Sequence, residues 1–152
     1  MMFKTTYLTK LTDVDTTDRE GVGTLRLESN KLYKYVKYDD GTGDLDVVAG
    51  DVVGYLAASN TFVTADVTDM DVQPVMAGAM VAAVTATDQY CWIQIGGAVT
   101  LAATVTGTTP AAGDVINMSA SDKKAKVDPV ANETLGGYMR NATTGAYLNC
   151  PW

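Results

Sequence analysis

The stretch DQYCWIQIGG, residues 88–97, decides the fold of this 152-residue chain. Its two large aromatic residues, Tyr90 and Trp92, alternate with smaller apolar residues, and the run ends in two glycines. Such alternation predicts a β-strand, because successive side chains of a strand point to opposite faces. Aromatic residues on strands belong more often to a core or an interface than to a ligand platform. We therefore expect Tyr90 and Trp92 to pack in the core or at a subunit interface.

Two other functions remain open for this stretch. Tyr90, Trp92 and Gln94 share one strand face and could form a platform on which a sugar stacks. On the opposite face, the Cys91 thiol could be reactive, or it could pair with Cys150 if the fold brings the two cysteines together. We expect both cysteines to be free and half-buried, in a chain made and used in a reducing compartment.

A β-hairpin is predicted upstream, over residues 23–28 and 31–38. Both segments alternate apolar and polar residues, and Ser29-Asn30 supplies a suitable turn. Neither face of the second strand is purely polar: one face has Leu32, Lys34, Val36 and Tyr38, and the other has Tyr33, Tyr35 and Lys37. A strand with two such faces often packs a core on one side and a partner on the other, so Tyr33 and Tyr35 are further candidates for core or interface contacts.

Short β-rich segments separated by turn residues fill most of the remaining sequence. We predict strands at 45–48, 52–56, 61–72, 75–85, 90–95, 98–105, 114–117, 125–127, 135–140 and 146–149. Gly and Thr interrupt these segments too often for a long helix. The sequence therefore predicts an all-β protein, a small β-barrel or β-sandwich, whose single β domain covers residues 21–152.

Residues 1–20 contain little periodicity and are predicted to form an extended N-terminal arm. Phe3 and Tyr7 are its candidate anchors at an interface. Because such a segment buries too little surface to offset its ordering entropy, we expect it to be mobile in the isolated protein and to become ordered on a partner.

Composition argues against several classes of function. The formal net charge of −7 disfavours nucleic-acid binding, and no segment reaches the ~18 apolar residues of a membrane helix. Histidine is absent, which removes Ser-His-Asp and Cys-His sites and makes a transition-metal site improbable. The aspartate-rich segments 13–24 and 41–47 lack the spacing or repetition of calcium loops. We assign no catalytic, cofactor-binding or metal-binding residue and do not expect an enzyme.

Charge is unevenly distributed along the chain. No Lys or Arg occurs between Asp39 and Asp122, whereas this segment contains many aspartates. The segment could form a solvated acidic surface, or an acidic face could meet a basic face between neighbouring subunits.

Residues 77–99, AGAMVAAVTATDQYCWIQIGGAV, form a pattern of an apolar strand, a short turn and an aromatic strand that ends in glycine. This pattern resembles small tailed-phage head decoration proteins, also called capsid cement proteins. Residues 20–55 are similar to those proteins too, with a hairpin and then an AGDVV turn that leads into a strand. The two segments cover about 40% of the chain, and no catalytic signature accompanies them.

The resemblance implies a structural viral protein, often a homotrimer, that sits on the outer capsid surface and clamps neighbouring major capsid subunits. It also implies synthesis in the host cytoplasm and no cofactor, nucleic-acid or membrane partner. The alternative is a receptor- or glycan-binding β-module of a phage fibre or spike. An ordinary cellular β domain is a third possibility.

Overall fold

The computed structural model describes residues 6–56, 59–70, 75–102, 109–128, 136–141 and 143–150. Within these ranges the chain forms ten β-strands and no helix, as the sequence predicts. The strands are β1 (Leu25–Glu28), β2 (Lys31–Asp39), β3 (Val52–Tyr55), β4 (Phe62–Thr64), β5 (Met76–Met80), β6 (Gln89–Thr100), β7 (Val115–Met118), β8 (Ala125–Asp128), β9 (Gly137–Met139) and β10 (Gly145–Asn149). Phe3 lies outside the described residues.

Five of these strands close a β-barrel in the order β2-β4-β3-β5-β6, and the pairing of β6 with β2 completes the ring. β2 and β4 are parallel, whereas the other neighbours in the ring are antiparallel. β1 extends the sheet beyond β2, and β10, β9, β7 and β8 extend it beyond β6. The fold is therefore a small closed barrel with additional strands outside it.

The predicted hairpin is present as β1 and β2. Ser29 and Asn30 both have positive φ, 50° and 63°, as the two central residues of a type I′ turn require. Asparagine tolerates this conformation better than most residues, because its short polar side chain can hydrogen-bond locally. The turn sets the register of the hairpin, in which Glu28 pairs with Lys31.

β6 is longer than predicted, because it joins the segments expected at 90–95 and 98–105. Its first part pairs with β2 and its last part, from Gly96 to Thr100, pairs with β10. Gly97 directly follows Gly96, the last residue of β6 that pairs with β2; it has a φ of 88°, and a Cβ at this position would lie 2.7 Å from the Asn30 carbonyl oxygen. Glycine therefore allows β6 to pass close to the β1–β2 turn as it leaves β2.

The main core combines the barrel interior with one face of the outer strands. It includes Val36 and Tyr38 from β2 and Ile93 and Ile95 from β6, so the alternation in both strands predicts their inward faces correctly. Both cysteines belong to this core and are free thiols, more buried than the sequence suggests. Burial raises the pKa of each thiol to about 12.

Three predicted strands are much shorter in the structure, and one of them, expected at 75–85, covers only Met76–Met80. The segment expected at 45–48 contributes only an isolated bridge between Val47 and Val84. Among the described residues of the segment 61–72, only Phe62–Thr64 form a strand. Beyond it, the Thr64 hydroxyl accepts a hydrogen bond from the Asp66 backbone N–H, and the Asp66 carboxylate accepts one from the Thr68 N–H. These local bonds compete with sheet pairing and end the strand.

Candidate interaction surfaces

The outer face of β2 and β6 contains a compact group of aromatic side chains. In the register of these strands Tyr35 lies opposite Trp92, and their ring centroids are 5.1 Å apart. Tyr33, Tyr35 and Trp92 are buried, and Trp92 has 0% exposure. We call these three residues the aromatic cluster. Trp92 and the neighbouring Gln94 are both buried, so this face does not offer a sugar-stacking platform.

Residues 6–20, which we call the N-terminal segment, cover this cluster. The Tyr7 ring meets Trp92 edge to face, with centroids 5.7 Å apart and an interplanar angle of 78°. The Trp92 Nε1–H donates to the Thr9 hydroxyl at 2.9 Å, and the Tyr7 hydroxyl donates to the Leu25 carbonyl oxygen at 2.9 Å. Tyr7 and Leu11 pack on the cluster, so Trp92 is satisfied both in packing and in hydrogen bonding.

A buried carboxylate holds the N-terminal segment in place. Glu20 Oε1 accepts hydrogen bonds from the backbone N–H groups of Leu8 and Thr9, at 2.6 and 2.7 Å, and from the Thr9 hydroxyl at 2.9 Å. The Arg26 guanidinium on β1 lies 4.7 Å from the Tyr7 ring centroid and donates to the Thr9 carbonyl oxygen at 3.0 Å. Hydrogen bonds to a carboxylate are among the stronger ones, so Thr9 is a well-fixed point.

Further along, the segment pairs with β6 itself. Asp15 and Tyr90 exchange two backbone hydrogen bonds, of 2.7 and 3.0 Å, in an isolated antiparallel bridge. The Asp15 carboxylate also forms a 2.8 Å ion pair with Arg19. Tyr90 is half-buried, at the border between the covered cluster and the open surface.

These contacts place residues 6–20 of the predicted arm on the barrel of their own chain, where the sequence predicts a segment without such contacts. Residues 6–20 contain no strand, but they lie on the barrel and bury the aromatic cluster. Their contacts come from backbone groups and from a few side chains without a repeat, for example Tyr7, Thr9 and Glu20. A search for a period of 2 or 3.6 residues does not detect such contacts. The predicted anchor Tyr7 contacts Trp92 of the same chain.

The Tyr35 hydroxyl has no hydrogen-bond partner among the described residues, although it is fully buried. Burial raises the pKa of Tyr35 to about 12. The Arg19 backbone opposes this rise in the Tyr35 pKa without forming a hydrogen bond to the hydroxyl. Burying an unpaired hydroxyl costs free energy, so this atom is a weak point of an otherwise satisfied cluster.

Lys34 and Lys37 lie on opposite faces of β2. Lys34 is buried, and its Nζ donates to the Tyr55 hydroxyl at 3.0 Å and to the Asn60 carbonyl oxygen at 2.5 Å, while burial lowers its pKa. On the outer face, Lys37 Nζ lies 2.5 Å from an Asp88 carboxylate oxygen, and this hydrogen bond raises the Lys37 pKa. Both lysines therefore fix neighbouring loops rather than form a shared site.

Another pair of aromatic residues lies uncovered on the outer strands. Tyr138 of β9 and Tyr147 of β10 face each other, with ring centroids 5.3 Å apart and an interplanar angle of 12°. They are 45% and 40% exposed, respectively. The sequence predicts both strands, but it does not show that the two tyrosines are neighbours on an outward face.

The aspartate-rich loop at 41–47 is stabilised by hydrogen bonds. The Asp66 carboxylate accepts from the Gly43 N–H at 3.1 Å, and the Asp69 carboxylate accepts from the Thr42 N–H at 2.8 Å. Hydrogen bonding, mainly from the Thr68 hydroxyl, lowers the Asp66 pKa. In the described ranges, no three His, Cys, Asp or Glu side chains group in a way that could hold a metal ion.

Comparisons with protein-family models, with curated proteins and with solved structures find no match to this chain. The part of the chain that the structure describes includes no helix long and apolar enough to span a membrane.

Proposed function

We propose that this protein decorates the outer surface of a tailed-phage head, as a homotrimer that clamps neighbouring major capsid subunits. The observation that supports this most is where the resembling segments lie in the fold. Residues 20–55 and 77–99 contain β1, β2, β3 and nearly all of β5 and β6. The resemblance therefore covers four of the five barrel strands, which form one structural unit rather than scattered pieces.

The N-terminal segment provides a candidate contact with the capsid. Leu8 is 71% exposed and Leu27 of β1 is 63% exposed. Leu8 precedes Thr9, whereas Leu27 follows Arg26 on β1, so the Leu27 side chain points to the sheet face opposite the Arg26 contact with Thr9. The two leucines are therefore separate exposed apolar positions, and each of them suits burial against a partner.

Each such contact is small, so stable binding to the capsid would depend on several identical contacts made by one trimer. A trimer that touches several capsid subunits binds them together, because the second and third contacts form at a high effective concentration. The exposed aspartates Asp44 and Asp46 and the exposed basic residues Lys10 and Arg19 lie in different parts of the chain. Charges separated in this way can orient a subunit on a shell of alternating potential.

Particles that lack the protein provide the direct test of the role. We expect them to assemble but to release DNA at a lower temperature, or after a milder osmotic shock, than particles that contain it. Adding the purified protein back should restore resistance. Equal DNA retention with and without the protein would contradict the proposal, and a few copies per particle rather than hundreds would favour the fibre or spike alternative.

Surface variants test the proposed contact. Leu8→Ser combined with Leu27→Ser should weaken binding to undecorated particles at least about tenfold, or ~1.4 kcal/mol, with an unchanged urea midpoint. Val75→Ser is the matched control, because Val75 is also apolar and 46% exposed but lies before β5. Equal weakening by the double variant and by Val75→Ser would indicate nonspecific apolar adhesion instead.

A further inference from the structure

The outer strands form a sheet surface that the proposed capsid contact does not use. One face of β9 and β10 packs into the main core through residues such as Met139, Ala146 and Leu148. The opposite face contains Tyr138 and Tyr147 and is open. Two exposed tyrosines in contact on a well-packed sheet form a rigid surface, because their backbones are fixed by pairing on both sides.

Small residues flank the tyrosine pair. In register across four strands, Ala98 of β6 lies opposite Tyr147, Tyr147 opposite Tyr138, and Tyr138 opposite Val115 of β7. Each ring stacks on the other with one face, and its second face is directed toward the small neighbour in this row. Because Ala98 is much smaller than Tyr147, the surface beside the Tyr147 ring is recessed above Ala98. We call this recess the step.

The side-chain amide of Asn141, at one end of this step, is held in a fixed orientation by hydrogen bonds. The Asn141 side-chain oxygen accepts hydrogen bonds from the Thr143 N–H, the Thr143 hydroxyl and the Gly145 N–H, at 3.1, 3.0 and 3.0 Å. Its Nδ2 lies 2.6 Å from where a Cβ of Gly145 would be. Gly145 is two residues from Tyr147, on the same strand face. The amide nitrogen of Asn141 is thus held on the sheet face that contains the Tyr147 ring.

Thr100 completes the set of neutral polar groups. It is exposed, it pairs with Gly145 across β6 and β10, and it lies two residues from Ala98 on the same face of β6. The step therefore combines an aromatic ring face, a small apolar floor, a hydroxyl and an oriented amide. The exposed Arg140, whose backbone N–H donates to the Gly145 carbonyl oxygen, lies two positions from Tyr138 on the same face and adds one cationic group.

We propose that this surface binds carbohydrate, with a pyranose ring stacked on Tyr147 above Ala98 and its hydroxyl groups bonded to Asn141 and Thr100. A pyranose has an apolar C–H face and a rim of hydroxyls that both donate and accept, which matches an aromatic ring beside neutral polar groups. A nucleic acid would require cationic groups, whereas this protein has a net charge of −7. The proposal concerns the isolated protein and does not depend on capsid binding.

Saturation-transfer NMR on the full chain tests the site with methyl glycosides of glucose, galactose, mannose and N-acetylglucosamine. We expect transfer to the C–H protons of at least one glycoside, loss of this transfer in Tyr147→Ala, and retention in Tyr147→Phe. Phe62→Ala is the matched control, because Phe62 is an aromatic strand residue with the same 40% exposure as Tyr147. A urea midpoint for each variant confirms that it is folded.

Three outcomes would overturn the proposal. The first is the absence of transfer to every glycoside, and the second is equal transfer in the wild type and in Tyr147→Ala. The third is concentration-dependent self-association that Tyr147→Ala abolishes in sedimentation experiments, without saccharide binding by the wild type. That result would assign the tyrosine pair to contact with a second copy of the chain.

Discussion

Two aromatic groups lie on outward sheet faces of this protein, and only one of them is covered. The aromatic cluster of Tyr33, Tyr35 and Trp92 is buried under the N-terminal segment, whereas Tyr138 and Tyr147 are about half exposed. The difference comes from a segment without regular structure, not from the strands themselves. An aromatic residue on a strand can therefore be a core residue or a surface residue, depending on what the rest of the chain places over it.

The largest expected effect separates the two groups by their contribution to stability. Trp92→Ala removes a fully buried indole and should lower the free energy of unfolding by about 3–5 kcal/mol. Tyr147→Ala should lower it by no more than about 1 kcal/mol, because only a half-exposed ring contact is lost. Urea unfolding measures both, and similar losses would show that the two groups are equally buried in solution.

Removal of the cover should have the next largest effect. Deletion of residues 1–12 eliminates the Tyr7 and Leu11 contacts and leaves the Trp92 Nε1–H without its acceptor. We expect a loss of about 2–4 kcal/mol in unfolding free energy. In a Trp152→Phe background, Trp92 is the only tryptophan, and its fluorescence should shift to longer wavelength.

An unchanged urea midpoint and an unchanged emission maximum after this deletion would support the expectation from sequence, a free arm. Deletion of residues 1–5 serves as the control, since it leaves Tyr7 and Thr9 in place.

A single hydrogen bond should have a smaller effect. Thr9→Val keeps the shape of the side chain but removes the acceptor of the Trp92 indole and one donor to Glu20. A buried donor left without a partner costs about 1–3 kcal/mol, so we expect a loss in this range. Thr17→Val, at an exposed position of the same segment, should leave the urea midpoint unchanged. Equal effects of the two variants would argue against the hydrogen bond.

The smallest expected effect concerns the Tyr35 hydroxyl. The Tyr35 pKa is raised from 10.0 to about 12 in the folded protein, so the unfolded chain loses this proton at a lower pH than the folded chain. Stability that is present below pH 10 is therefore lost as pH rises toward 12. Tyr35→Phe should be neutral or slightly stabilising at pH 7, and its urea midpoint should fall less steeply than that of the wild type over this pH range. A steeper fall of the urea midpoint in Tyr35→Phe than in the wild type would contradict the raised pKa of the Tyr35 hydroxyl.

Much of the barrel could be predicted from sequence, because alternation over β2 and β6 reports directly which side chains point inward. The type I′ turn at Ser29-Asn30 could also be predicted, since few residues accept two successive positive φ angles. The end of β4 could not, because it depends on side-chain hydrogen bonds of Thr64 and Asp66 to the backbone. Such local competition has no periodic signature.

The surfaces were less accessible to prediction than the core. The alternation in β6 places Trp92 on an outer face, but nothing in that strand indicates that residues 6–20 cover it. Thr9 and Glu20, whose hydrogen bonds hold this segment, are 11 positions apart in the sequence and belong to no repeating pattern. Likewise, the row from Ala98 to Val115 depends on the strand order β6-β10-β9-β7, which differs from the order of these strands in the chain.

Hydrogen exchange of the Trp92 indole proton tests most directly whether the N-terminal segment is part of the folded domain. In full-length protein with Trp152→Phe, the account predicts that this proton exchanges as slowly as the backbone N–H groups of β6, because it is buried and bonded to Thr9. Exchange at the rate of a free indole, while the β6 amides remain protected, would contradict it and show that the aromatic cluster is open in solution.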